Sequence, residues 1–153
     1  MLYEPTRFDA LIDEPWVPAR VEDAIAAIVA DAGAAFDPTA LWPPHEWDAR
    51  EKPLPLSGLY VGAAGVIWAL DELQRRGHAE SSRDLVAAAA RAVELERATP
   101  DFAADEHYRP GALMSGETGA LLVAFRLTRD PALTDDVHAL VRGNVDNPTD
   151  DIS

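Results

Sequence analysis

Four histidines, His45, His78, His107 and His138, are the side chains of this sequence best suited to carry a proton or a metal near neutral pH. No two are spaced to bring both imidazoles to one helical face around a shared ion, so surface and capping roles are expected for all four. His107 follows Asp105 and Glu106, a mixed nitrogen and oxygen set that could hold a metal weakly, although such clusters are more often solvated loop. There is no cysteine. Disulfides, thiolate metal ligands and a cysteine nucleophile are thereby excluded from this chain. Among the aromatics, Tyr60 and Trp68 could line a cavity, but on an apolar helix they are expected in the core.

Charge narrows the partners. The 27 Asp and Glu outnumber the 13 Lys and Arg, for a formal net charge of -14, and such a field repels phosphate backbones and anionic headgroups. Nucleic acid and membrane surfaces are therefore not expected partners, whereas a basic peptide would be attracted. The amino terminus, MLYEPTRFDALIDEPW, carries acids where a signal peptide needs a basic start and an apolar run. No stretch reaches the length of a membrane span, so a cytoplasmic protein is expected. Pro148 sits inside the Asn147 to Thr149 triplet and removes it as a glycosylation acceptor.

The elements that must position these residues read as helices. Val21, Ala24, Ile25, Ile28, Val29 and Ala32 fall on one helical face, with Gly33 as the expected stop. Residues 34–57 hold five prolines with Trp42 and Trp47, which predicts a long ordered loop whose tryptophans pack on the body. A second helix is expected from Gly58 through Val66, Ala69, Leu70 and Leu73 to Gly77. Ser81 or Ser82 is the expected cap of a third, running through DLVAAAARAVELERAT and ending before Pro100. A fourth is expected from Gly116 to about Arg129, and a fifth from an Asp130 cap with Pro131 in its first turn. No segment alternates with period two, so the class is all-α, one domain over 1–153.

Compared with itself, the chain repeats. GLYVGAAGVIWAL aligns with ALMSGETGALLVAF, so that Gly62 matches Gly116 and Gly65 matches Gly119, each 54 residues apart. Each copy opens an apolar helix with a glycine pair and continues into a second helix, the signature of helical-hairpin repeats. Glycines in a first turn let another backbone approach closely and leave the turn's free N–H groups uncovered.

Those two stretches, with NPTDDIS at the end and the proline- and tryptophan-containing lead-in, resemble the LanC-like (lanthionine synthetase C-like) family, over most of the chain. The resemblance implies an (α/α) barrel with Gly62, Gly65, Gly116 and Gly119 at the starts of inner helices. It also implies relation to zinc-dependent cyclases, which add a cysteine thiol of a peptide to a dehydrated Ser or Thr and form a thioether. The family's zinc is bound by two cysteines and a histidine, so this chain has no such ligand set. Asp151 resembles a position the cyclases use for acid-base work, with Asp150 equivalent after a one-place slip. A third glycine copy would be expected beyond Ser153. The chain is thus expected to be an amino-terminal part of an incomplete barrel, not catalytic by itself, with self-association through an open apolar edge and a peptide or thiol substrate for the complete protein. Two other readings stand beside it: a non-catalytic helical-repeat module that binds a basic peptide, and a carbohydrate-active (α/α) barrel in which Trp42 or Trp47 stacks on sugar.

Overall fold

A computed structural model describes residues 15–48, 55–106 and 108–144, and its named elements are five helices: α1 (Pro18–Ala35), α2 (Ala63–Arg75), α3 (Leu85–Ala98), α4 (Glu117–Thr128) and α5 (Pro131–Gly143). No strand occurs among the described residues. The one bridge, Asp37 with Leu41, closes a tight turn in which the Asp37 carboxylate accepts the N–H groups of Thr39 (2.7 Å) and Ala40 (2.8 Å). The class is all-α. No helix of the described residues is long and apolar enough to cross a membrane.

Helices α2 and α4 lie against each other, α3 packs across both, and α5 packs on α4. The buried core follows the helical stripes of these elements: Ala63, Ala64, Ile67 and Leu70 of α2, Leu85, Ala88, Ala89, Ala92 and Val93 of α3, and Ala120, Leu121, Val123 and Ala124 of α4. Alanines at the α3 contact let the helices approach closely while larger side chains from α2 and α4 fill the space between them.

Several boundaries depart from expectation. Gly33 does not stop α1, which runs on to Ala35 and ends where Phe36 turns extended. Tertiary contacts take over the task a terminal glycine would perform: the Trp42 indole donates to the Ala32 carbonyl at 2.7 Å and the Arg83 guanidinium to the Gly33 carbonyl at 2.5 Å. The apolar face of α1 buries no residue, and Ile28 is 66% exposed. Helix α2 begins at Ala63, five residues after Gly58, with Gly62 as its cap. It ends as the glycine implies. Gly77 adopts φ +73°, its N–H meets the Gln74 carbonyl and the His78 N–H meets that of Leu73, the paired bonds of a Schellman stop.

Neither Ser81 nor Ser82 caps α3. Asp84 does, accepting the Ala87 N–H at 3.0 Å. Ser81 lies too far ahead, where its own N–H is held by the Gln74 side chain. At α5 the expected cap is in place: Asp130 accepts from Ala132 at 2.9 Å, with Pro131 opening the helix.

Candidate functional site

The two glycine pairs occupy matching settings. Gly62 caps α2 with φ -118°, ψ -170°, and Gly116 caps α4 with φ -117°, ψ -175°. The Ala63 N–H donates to the Leu56 carbonyl (3.1 Å), as the Glu117 N–H does to that of Pro110 (2.9 Å), again 54 residues on. A methyl on Gly65 would stand 2.5 Å from the Leu59 carbonyl oxygen, and one on Gly119 would collide with the equivalent oxygen of Leu113. Each copy therefore doubles back over its own helix start, and only a glycine leaves room for the returning backbone. The copies also touch: the Tyr60 N–H reaches the Met114 carbonyl at 3.3 Å, and Leu59 packs over Gly119.

Between these returning segments and the exposed sides of α2 and α4 lies a groove of about 890 Å³. Leu59, Tyr60, Val66, Trp68, Leu113, Met114 and Leu122 make its wall largely apolar, with Arg126 and Asp48 supplying polar groups. Tyr60 is 66% exposed and Trp68 46%. The expectation that these aromatics lie in the core is therefore wrong: both face the groove, Trp68 because the inward-packing residues of α2 are Ile67 and Leu70, and Tyr60 because it lies in the returning segment ahead of the helix. Arg126 lies 5.9 Å from the Trp68 ring centre and is tied to Asp71 (2.5 Å) and Glu72, so its charge is already shared.

Behind the same glycine segment lies a buried acid pair. Asp101 accepts the N–H groups of Ser57 (2.8 Å to Oδ1, 3.1 Å to Oδ2) and Gly58 (2.8 Å). The Ser57 hydroxyl lies 2.9 Å from Glu96 Oε2 and 3.3 Å from Asp101 Oδ1, while Glu96 Oε1 has no hydrogen-bond partner. Ser57, Glu96 and Asp101 are all buried. Burial above all, and then the negative charge of Asp101, push the Glu96 carboxyl up to about 7, against the opposing pull of the Ser57 hydroxyl and the Asp101 backbone N–H. Burial and the charge of Glu96 push the nearby Tyr108 phenol up to about 12.

The sequence shows one sign of this pair. Glu96 continues the α3 stripe of Leu85, Ala88, Ala89, Ala92 and Val93 at helical spacing, and an acid on an apolar stripe calls for a buried partner. That partner, Asp101, belongs to the following turn and has no pattern of its own.

The histidines stand apart. His45 Nδ1 accepts the Trp47 N–H at 3.2 Å, His78 follows the α2 stop and His138 lies in α5. The described residues contain no group of three His, Asp or Glu placed to hold a metal. Asp150, Asp151 and His107 lie outside the described residues. Trp42 is buried and spends its indole N–H on α1, so it cannot stack on a sugar, whereas Trp47 is 71% exposed and does not pack on the body as expected. Comparison of the chain with models of protein families, with curated proteins and with solved structures yields no match.

Proposed function

We propose that this chain is a helical-hairpin repeat segment of the LanC-like type, whose role is to hold a peptide against the groove beside the glycine pairs. The observation that carries the reading is the matched setting of Gly62/Gly65 and Gly116/Gly119, which brings two equivalent helix starts to one apolar wall. On this reading α2 and α4 belong to an inner ring of an (α/α) barrel and α3 and α5 to an outer one. The exposed side chains of the groove would then meet a further segment or a second copy at the open edge.

Thioether closure is not assigned to these residues. The family's zinc needs two thiolates, this sequence has no cysteine, and the described histidines and acids do not form a substitute set. What remains is recognition: Leu59, Tyr60, Trp68 and Leu122 offer apolar and aromatic area that would favour the side chains of a peptide rather than an ion.

Titration of the isotope-labelled protein with a lysine-containing apolar peptide, in plain and dehydrated-serine forms, tests this by backbone and indole NMR shifts. The expected result is a saturable set of changes at Tyr60, Gly65, Trp68 and Gly119, unaltered by a chelator and nearly insensitive to salt. Changes confined to acidic surface positions and abolished by salt would support the second reading, a basic-peptide module, which the charge of -14 favours. No change at the groove with any peptide would end the proposal.

A further inference from the structure

The hydroxyl of Ser57 has one hydrogen, yet stands within hydrogen-bond distance of two carboxyl groups, Glu96 at 2.9 Å and Asp101 at 3.3 Å. Both contacts can be full two-centre hydrogen bonds only if one acid brings a proton of its own; a single hydrogen shared between two carboxylates would serve each weakly and leave their repulsion in place. Asp101 already accepts two backbone N–H groups, an arrangement that suits an ionised carboxylate. Glu96 is 1% exposed and leaves Oε1 without a partner, a heavy penalty for an ionised oxygen and a smaller one for the carbonyl oxygen of a neutral acid.

We propose that Glu96 is protonated in the folded protein, donating through Oε2 to Ser57 Oγ, which in turn donates to Asp101, and that loss of this proton unfastens the glycine segment forming the groove wall. The proton leaves to water, and two carboxylates remain around a single hydroxyl hydrogen, so that their repulsion acts on the segment from Ser57 onward. That segment carries Leu59 and Tyr60 into the groove two and three residues later and Gly62 into the α2 cap. A change at the acid pair is therefore passed to the groove through a short stretch of backbone, without any long pathway.

The surroundings keep the effect local to this pair. From the α3–α4 connection Asp101 and Tyr108 face Glu96, and from α4 Glu117 adds negative charge. Glu117 is itself paired with Arg97, which also holds Asp136 of α5 at 2.6 Å. Arg97, the next residue after Glu96 in the chain, is thus engaged by other acids. Among the described residues no cation is ion-paired with Glu96, and its upward shift to about 7 agrees with the hydrogen-bond count.

The test is a carboxyl-carbon NMR titration of the wild-type protein, read together with the backbone N–H signals of Ser57, Gly58 and Leu59. Glu96 is expected to titrate near 7 in place of 4.5, and the three N–H signals should follow the same midpoint. In Glu96→Gln those signals should stay flat over that range. In Asp101→Asn, which removes the neighbouring charge, the Glu96 midpoint should move down toward 4.5. A wild-type Glu96 midpoint at the ordinary glutamate value, or N–H signals indifferent to it, overturns the proposal without recourse to either variant. Peptide binding is not needed for this readout, so the latch and the groove reading stand or fall separately.

Discussion

Replacing Gly119 by alanine puts the packing of the two copies to the test, because in an ordinary helix the change would be favourable. Alanine is better than glycine in a helix interior by about 1 kcal/mol. At Gly119 the added methyl would collide with the Leu113 carbonyl and come within 2.7 Å of Leu59 Cβ and 3.2 Å of Leu59 Cδ2. Carbon contacts are normally at about 3.5–4.0 Å, so the returning backbone and Leu59 must both give way. Such overpacking costs about 1–3 kcal/mol, and here backbone rather than a flexible tip is in the way, so the upper figure applies. Set against the gain in propensity, the net loss is about 2 kcal/mol, or a fall in Tm of about 6 °C for a chain of this size.

Gly33→Ala is the matched control, since Gly33 lies inside α1 with nothing within 4 Å of the added methyl. It should raise stability by about 1 kcal/mol. Thermal and urea unfolding, followed by circular dichroism, would read both variants against wild type. Opposite signs are expected. A Gly119→Ala protein as stable as wild type would refute the claim that the first copy's segment sits on the second copy's helix start.

Other outcomes follow from single contacts. Asp101→Ala strips the acceptor from two buried N–H groups and should cost about 3 kcal/mol in urea unfolding; an unchanged midpoint would contradict the assigned bonds. Trp42→Phe keeps a ring beside Phe36 but loses the bond to the Ala32 carbonyl, a loss of about 1 kcal/mol. Asp84→Ala should cost about 1 kcal/mol, while Ser81→Ala and Ser82→Ala should stay within about 0.5 kcal/mol, which checks by unfolding which residue caps α3. Since the folded Glu96 carboxyl sits above its unfolded value, its contribution is fully present below pH 4.5 and is lost as pH rises through about 7. Wild-type stability should therefore fall across that window by on the order of 3 kcal/mol more than that of Glu96→Gln.

Local features were legible where a residue's own backbone preference decides the outcome. Gly77 can take the left-handed conformation that stops α2, Asp130 with Pro131 can open α5, and Pro100 forbids α3 from running further. The glycine pairs were legible for a different reason, their 54-residue repeat, while what makes glycine necessary there is the returning backbone packed against them. In α2, however, the face expected from periodicity, Val66, Ala69, Leu70 and Leu73, shares only Leu70 with the buried core, where Ala63, Ala64 and Ile67 stand instead.

Tertiary structure decided whatever depends on residues far apart in the chain. Gly33 reads as a stop in isolation, but Trp42 and Arg83 satisfy the last carbonyls of α1 and the helix continues past it. Tyr60 and Trp68 read as core, and become groove wall because α4 and the Leu113 segment arrive on one side of α2 and leave the other open. Glu96 reads as an acid misplaced on an apolar stripe until Ser57, 39 residues earlier, comes to face it. A periodic pattern says which face of a helix is apolar; it carries no information on how much of that face its neighbours will cover, and in this protein that coverage makes the groove and the buried acid pair.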